Sequence, residues 1–112
     1  MNENEFTIKV RWNGPPTSYS NMFNGIQEII AIDLSEFDFS KVVDISYMFS
    51  ECTFLSSLNL RNIQISSVTN FDSMFQSCYS LIRIDLSNLD PSSAITMKGM
   101  FSHCTSLTYI NL

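Results

Sequence analysis

Met-Phe pairs stand at Met22-Phe23, Met48-Phe49, Met74-Phe75 and Met100-Phe101, 26 residues apart each time with no insertion or deletion. A chain that repeats itself this strictly buries its apolar residues by stacking equivalent units against one another. The segments MFNGIQEIIAIDL, MFSECTFLSSLNL, MFQSCYSLIRIDL and MFSHCTSLTYINL agree in apolar pattern throughout. The expected fold class is α/β, a solenoid with short parallel strands on one face and short helices on the other. Its expected organisation is an N-terminal capping strand and turn over residues 1–21 and a repeat array over 22–112, in units 22–47, 48–73, 74–99 and 100–112.

Within the second unit, Ile45, Met48, Phe49 and Cys52 fall at i, i+3, i+4 and i+7, the spacing of one face of a short helix, and the other units repeat it. Ser18, Asp44, Asn70 and Thr96 precede these faces at equivalent positions. All four carry a side-chain oxygen able to cap a helix amino terminus, so the helices are expected to start there. The spacing then changes to Leu55-x-x-Leu58-x-Leu60, echoed by Ile29, Ile32, Leu34, by Leu81, Ile84, Leu86 and by Leu107, Ile110, Leu112. Alternation in the last three positions predicts a short strand. Stacked at about 4.8 Å, these strands would make one narrow parallel sheet, with Ile32, Leu58, Ile84 and Ile110 inward and Asp33, Asn59, Asp85 and Asn111 outward. On the return path Phe37, Ile63 and Leu89, then Phe39, Ile65 and Pro91, then Val42, Val68 and Ala94 are expected to line the core. Asp38-Phe39-Ser40 and Asp90-Pro91-Ser92 read as side-chain-stabilised turns, with Gln64-Ile65-Ser66 a weaker version.

At the amino end, FTIKVRW alternates at Phe6, Ile8, Val10 and Trp12, and counting back 26 sets Phe6 and Ile8 under Ile32 and Leu34. That strand is expected to open the sheet, and Gly14-Pro15-Pro16 to turn the chain towards Ser18. The sequence stops directly after a strand, so the expectation there is an open edge covered by further repeats or by another molecule.

With 112 residues, 45% of them apolar, one domain with a modest core is expected. The formal net charge of −5 and the lack of a basic patch argue against a nucleic-acid partner. No apolar run approaches the roughly 18 to 20 residues of a membrane span, and the opening MNENE does not read as a signal peptide. There is no Asn-x-Ser/Thr sequon.

Cys52, Cys78 and Cys104 occupy one repeat position, which Ile26 fills in the first unit, and so read as small buried hydrophobes with free thiols. Helix-bearing units would hold them further apart than the roughly 3.5 to 4.5 Å between Cβ atoms that a disulfide needs. A ladder of thiols does not converge as a zinc site must. Asp33, Asp38, Asp85 and Asp90 lack the loop spacing of calcium-binding repeats. His103 adjoins Cys104, but its equivalents Gly25, Glu51 and Ser77 mark a variable outward site, so no nucleophile and base are paired there. No enzyme activity and no cofactor are expected.

The leucine-x-x-leucine-x-leucine spacing is that of leucine-rich repeats. MFSECTFLSSLNL followed by NIQISSVTNFDSMF, and MFQSCYSLIRIDLSNLDPSSAITMKGMF, resemble the BspA-like leucine-rich-repeat proteins and the related repeat of mycoplasma lipoproteins. The resemblance spans Met22 to Leu112, with Ile26 in place of the first Cys, Asn59-Leu60-Arg61 in place of Asp-Leu-Ser, and Pro91 interrupting the usual turn. It implies a leucine-rich-repeat solenoid from a cell-surface or secreted protein associated with adhesion and protein binding, without a common catalytic site.

Stacked repeats usually recognise partners on the sheet face. Asp33, Asn59, Arg61, Arg83, Asp85 and Tyr109 are the expected partner-binding residues, and Arg61, Arg83 and Tyr109 break the repeat's own pattern. The bland account of the same face is an Asp-Asn ladder in which interposed amides bridge carboxylates. The functional expectation is a non-catalytic module binding a protein partner, with no nucleic acid and no membrane insertion. The alternative is a structural element that self-associates through the edge at Ile110 to Leu112.

Overall fold

The structure is a computed structural model, and it describes residues 13–60, 63–87 and 91–111. The strand expected over Phe6 to Trp12, together with Arg61, Leu89, Asp90 and Leu112, lies outside the described residues.

Four three-residue strands follow one another at the repeat interval: β1 (Ala31–Asp33), β2 (Ser57–Asn59), β3 (Arg83–Asp85) and β4 (Tyr109–Asn111). They are parallel, and each pair is aligned by the period, Ile32 opposite Leu58 and Ile84 opposite Ile110. The single narrow sheet expected from the sequence is not formed. β1 pairs with β2 and β3 with β4, while β2 and β3 are not hydrogen-bonded to each other. Outside the strands a second set of parallel contacts links Ser18 to Asp44, Asp44 to Asn70 and Asn70 to Thr96 without a break.

The expected α/β leucine-rich-repeat solenoid is overturned at its helices. Among the described residues there is no α-helix, only one 3-10 turn at Pro91–Ser93, and the chain is mainly turn and short strand. Where the second unit should be helical, the Met48, Ser50 and Cys52 N–H groups donate three residues back, to Ile45, Tyr47 and Phe49. The alternate N–H groups, of Ile45, Tyr47, Phe49 and Glu51, donate to the carbonyls of Asn70, Asp72, Met74 and Gln76 in the next unit. An α-helix keeps these bonds inside itself, each N–H reaching four residues back. Two positions per unit also carry positive φ, incompatible with a right-handed helix: Asn21, Tyr47, Ser73 and Gly99 in one column, Gly25, Glu51, Ser77 and His103 in the other.

Spacing gives the physical reason. Strands stack at about 4.8 Å, whereas packed helices need about 8 to 10 Å between axes, so helices on one side would splay a stack with strands on the other. Consecutive turns remain thin. Phe23, Phe49, Phe75 and Phe101 stack face to face with ring centroids 5.6, 5.7 and 5.6 Å apart and planes within 8° of parallel. The intended helix caps therefore do related work on turns. Asp44 Oδ1 accepts from the Ser46 N–H at 2.9 Å, and Asn70 Oδ1 from the Asp72 N–H at 3.0 Å.

The apolar positions read from the sequence do form the core. Leu34, Val42, Ile45, Met48, Phe49, Leu55, Val68, Phe75 and Leu81 are fully buried, with Phe39, Ile63, Ile65 and Ile84 nearly so. Towards the carboxyl-terminal end of the stack some of these positions open, although Met100 stays buried. Met97 is 43% exposed where Tyr19, Ile45 and Phe71 are 1 to 2%, and Ile110 is 40% exposed where Ile84 is 3%.

Candidate functional site

Strand geometry places alternate side chains on the outer face, and Asp33, Asn59, Arg83, Asp85 and Tyr109 are all exposed there. Arg61, the remaining member of the expected set, lies outside the described residues. The structure brings together Asn59, Arg83, Asp85 and Tyr109, which line a polar cleft of about 510 Å³ with Ser57 and Asn111. This cleft sits at the break between β2 and β3. Asp33, on β1, is not among its lining residues.

Two interactions organise the cleft. The Arg83 guanidinium lies over the Tyr109 ring, 5.5 Å from its centroid, so two residues that depart from the repeat support each other across neighbouring strands. Asn111 Nδ2 donates to Asp85 Oδ1 at 3.2 Å, one rung of the amide–carboxylate ladder. The Asp85 carboxylate also accepts from the Ser87 N–H at 2.9 Å and from its hydroxyl at 2.6 Å. Asp33 repeats the motif, accepting from the Ser35 N–H at 2.9 Å, and these bonds hold its carboxyl below the usual carboxylate range. These Asp-x-Ser turns fix where the chain leaves β1 and β3. The expected Asp38-Phe39-Ser40 turn is built alike, with Ser40 donating its N–H at 2.9 Å and its hydroxyl at 2.7 Å to Asp38.

The thiol ladder is part of the packing. Cys52, Cys78 and Cys104 are free, and their Sγ atoms lie 3.1, 3.1 and 3.0 Å from the carbonyls of Phe23, Phe49 and Phe75, to which they donate. Helix-imposed distance, the reason expected for their staying apart, does not apply to a stack without helices. Burial pushes the Cys52 thiol up to about 11 and the Cys78 thiol to about 12, with Cys104 raised as well. A thiol that stays protonated at neutral pH is a poor nucleophile and a poor metal ligand. Among the described residues no cluster of three or more His, Cys, Asp or Glu could hold a metal ion. His103 is exposed at a left-handed position with φ 61°, on the rim of its turn, while Cys104 reaches inward to Phe75.

Two surface residues escape the sequence argument. Ile30 and Phe54 are 63% and 59% exposed and line one groove on the flank beside the strands. The available signal is the column each occupies. Phe54 stands where the other units have Glu28, Ser80 and Ser106, and Ile30 where two of them have Ser56 and Thr108.

No helix among the described residues is long and apolar enough to cross a membrane. The chain matches the family described as mycoplasma protein of unknown function, DUF285, over residues 17–110. No curated protein and no solved structure matches it.

Proposed function

The chain belongs to the DUF285 family of mycoplasma proteins, and from that premise we propose that it is a non-catalytic protein-binding module of the BspA-like kind, part of a cell-surface or adhesion protein. The observation that carries this reading is the polar cleft at the break in the strand face, where Arg83 and Tyr109 pair beside Asp85 and Asn59. Arg and Tyr are the residue types that most often anchor protein interfaces, because each combines a large contact area with directional polar atoms. The contact between the two already orders both side chains, so less ordering entropy opposes binding. The test compares surface proteins captured by the immobilised chain and by an Arg83→Glu/Tyr109→Ala variant whose thermal unfolding is unchanged. A protein retained by the first and lost by the second is the expected result; identical capture would remove the cleft from the account.

A second reading, self-association, is favoured by the end of the stack formed by residues 97–111. Its core positions Met97 and Ile110 are exposed, and among the described residues the N–H groups of Met97, Gly99, Phe101 and His103 have no acceptor. Their equivalents in the preceding units all donate to the next unit. Light scattering across a wide concentration range decides it: a rising molar mass supports stacking between copies, and a constant 12.8 kDa counts against it.

A further inference from the structure

The groove on the flank is lined by Gln27, Glu28, Ile30, Phe54, Ser56 and Ser80 and has a volume of about 610 Å³. It is separate from the strand-face cleft except for Ser56, which borders both. Isolated exposed apolar side chains are ordinary, but Ile30 and Phe54 line one groove together. At the Ile30 position the other units carry Ser56, Ile82 and Thr108, and at the Phe54 position Glu28, Ser80 and Ser106, so three of the four units hold no large apolar group at the Phe54 position. Two large apolar groups side by side in water gain from burial only when something covers them.

Charge indicates what covers them. Among the described residues Glu28 is the one charged side chain lining the groove, and none of the described cations Lys41, Arg83 and Lys98 lines it. The chain as a whole carries −5, so an acidic segment meets repulsion both locally and from a distance, and a basic one is attracted. We infer that this groove is a docking site for a segment of a partner protein that presents a large apolar side chain next to a lysine or arginine. The apolar side chain packs between Ile30 and Phe54, and its basic neighbour faces the Glu28 carboxylate. This site does not depend on the strand-face reading, and the residues used to test it lie outside that cleft.

Short random peptides displayed on phage can be selected on the intact chain and counter-selected on an Ile30→Ser/Phe54→Ser variant, which carries the residue the repeat itself uses. The selected peptides are then synthesised and titrated. The expected result is a set in which an aromatic or large aliphatic residue adjoins Lys or Arg. These peptides should bind the double variant about tenfold or more weakly, lose affinity on Glu28→Lys, and weaken with added salt. Phe54→Glu, which copies the first unit's residue, supplies a second groove variant should the double change disturb folding. Groove-dependent peptides without a basic residue, or indifferent to Glu28→Lys, would overturn the charge assignment. So would the absence of any groove-dependent peptide, or concentration-dependent self-association of the chain that the groove variants remove.

Discussion

Phe75 has an aromatic ring stacked on each side, Phe49 at 5.7 Å and Phe101 at 5.6 Å, and is fully buried. Phe75→Ala removes packing for both neighbours and leaves a cavity that cannot close without shifting the flanking units. It should cost about 3 to 5 kcal/mol in a urea titration. The buried thiols give a prediction in pH. Cys52 and Cys78 have folded-state pKa values pushed up to about 11 and about 12, against about 8.5 for an unfolded thiol. Between those values the unfolded chain releases protons that the folded chain keeps. Their contribution is therefore complete below about pH 8.5 and is lost as pH rises towards 11 and 12. The melting temperature should fall across that window, and a Cys52→Val/Cys78→Val variant, given the aliphatic character Ile26 supplies in the first unit, should fall less steeply. Equal slopes would mean that the thiols are not the titrating groups.

Elements were only partly legible. Each strand was readable because alternation over three residues has one structural meaning beside a run of buried leucines. The turn segment was not, because Ile45, Met48, Phe49 and Cys52 are buried in stacked turns just as they would be on a helix. Eight residues are too few for periodicity to separate the two. The overlooked signal is the glycine and asparagine at Asn21, Gly25 and Gly99, residues that tolerate positive φ and weaken helices. Glu51 tests the difference by sign. It is exposed with φ 60°, and Gly25 holds the equivalent place in the first unit. In a helix Glu51→Gly would cost about 1 kcal/mol, whereas at this left-handed position it should stabilise by about 0.5 kcal/mol or more. Loss of stability in this variant would restore the helix.

For the whole molecule, cohesion runs along the stack. Alternate backbone N–H groups in three successive turn segments donate to the unit that follows, so amide exchange should report the stacking directly. The amides of Phe49, Glu51, Phe75 and Ser77 should exchange slowly, and those of Met97, Gly99, Phe101 and His103 quickly. Slowing of the second set with rising protein concentration would identify that face as the one through which copies associate; uniform protection at every concentration would contradict the bonding pattern. The sequence by itself determined the 26-residue register, the columns of buried residues and the outward position of Asp33, Asn59, Arg83, Asp85 and Tyr109, because a repeated apolar pattern can be satisfied only by aligning like with like. Tertiary structure alone decided that the turn segments are not helical, that the sheet breaks between β2 and β3, and that Arg83 lies over Tyr109. Those outcomes depend on the distance between neighbouring units, and a hydrogen bond leaving one unit for the next leaves no trace in the spacing of residues within either.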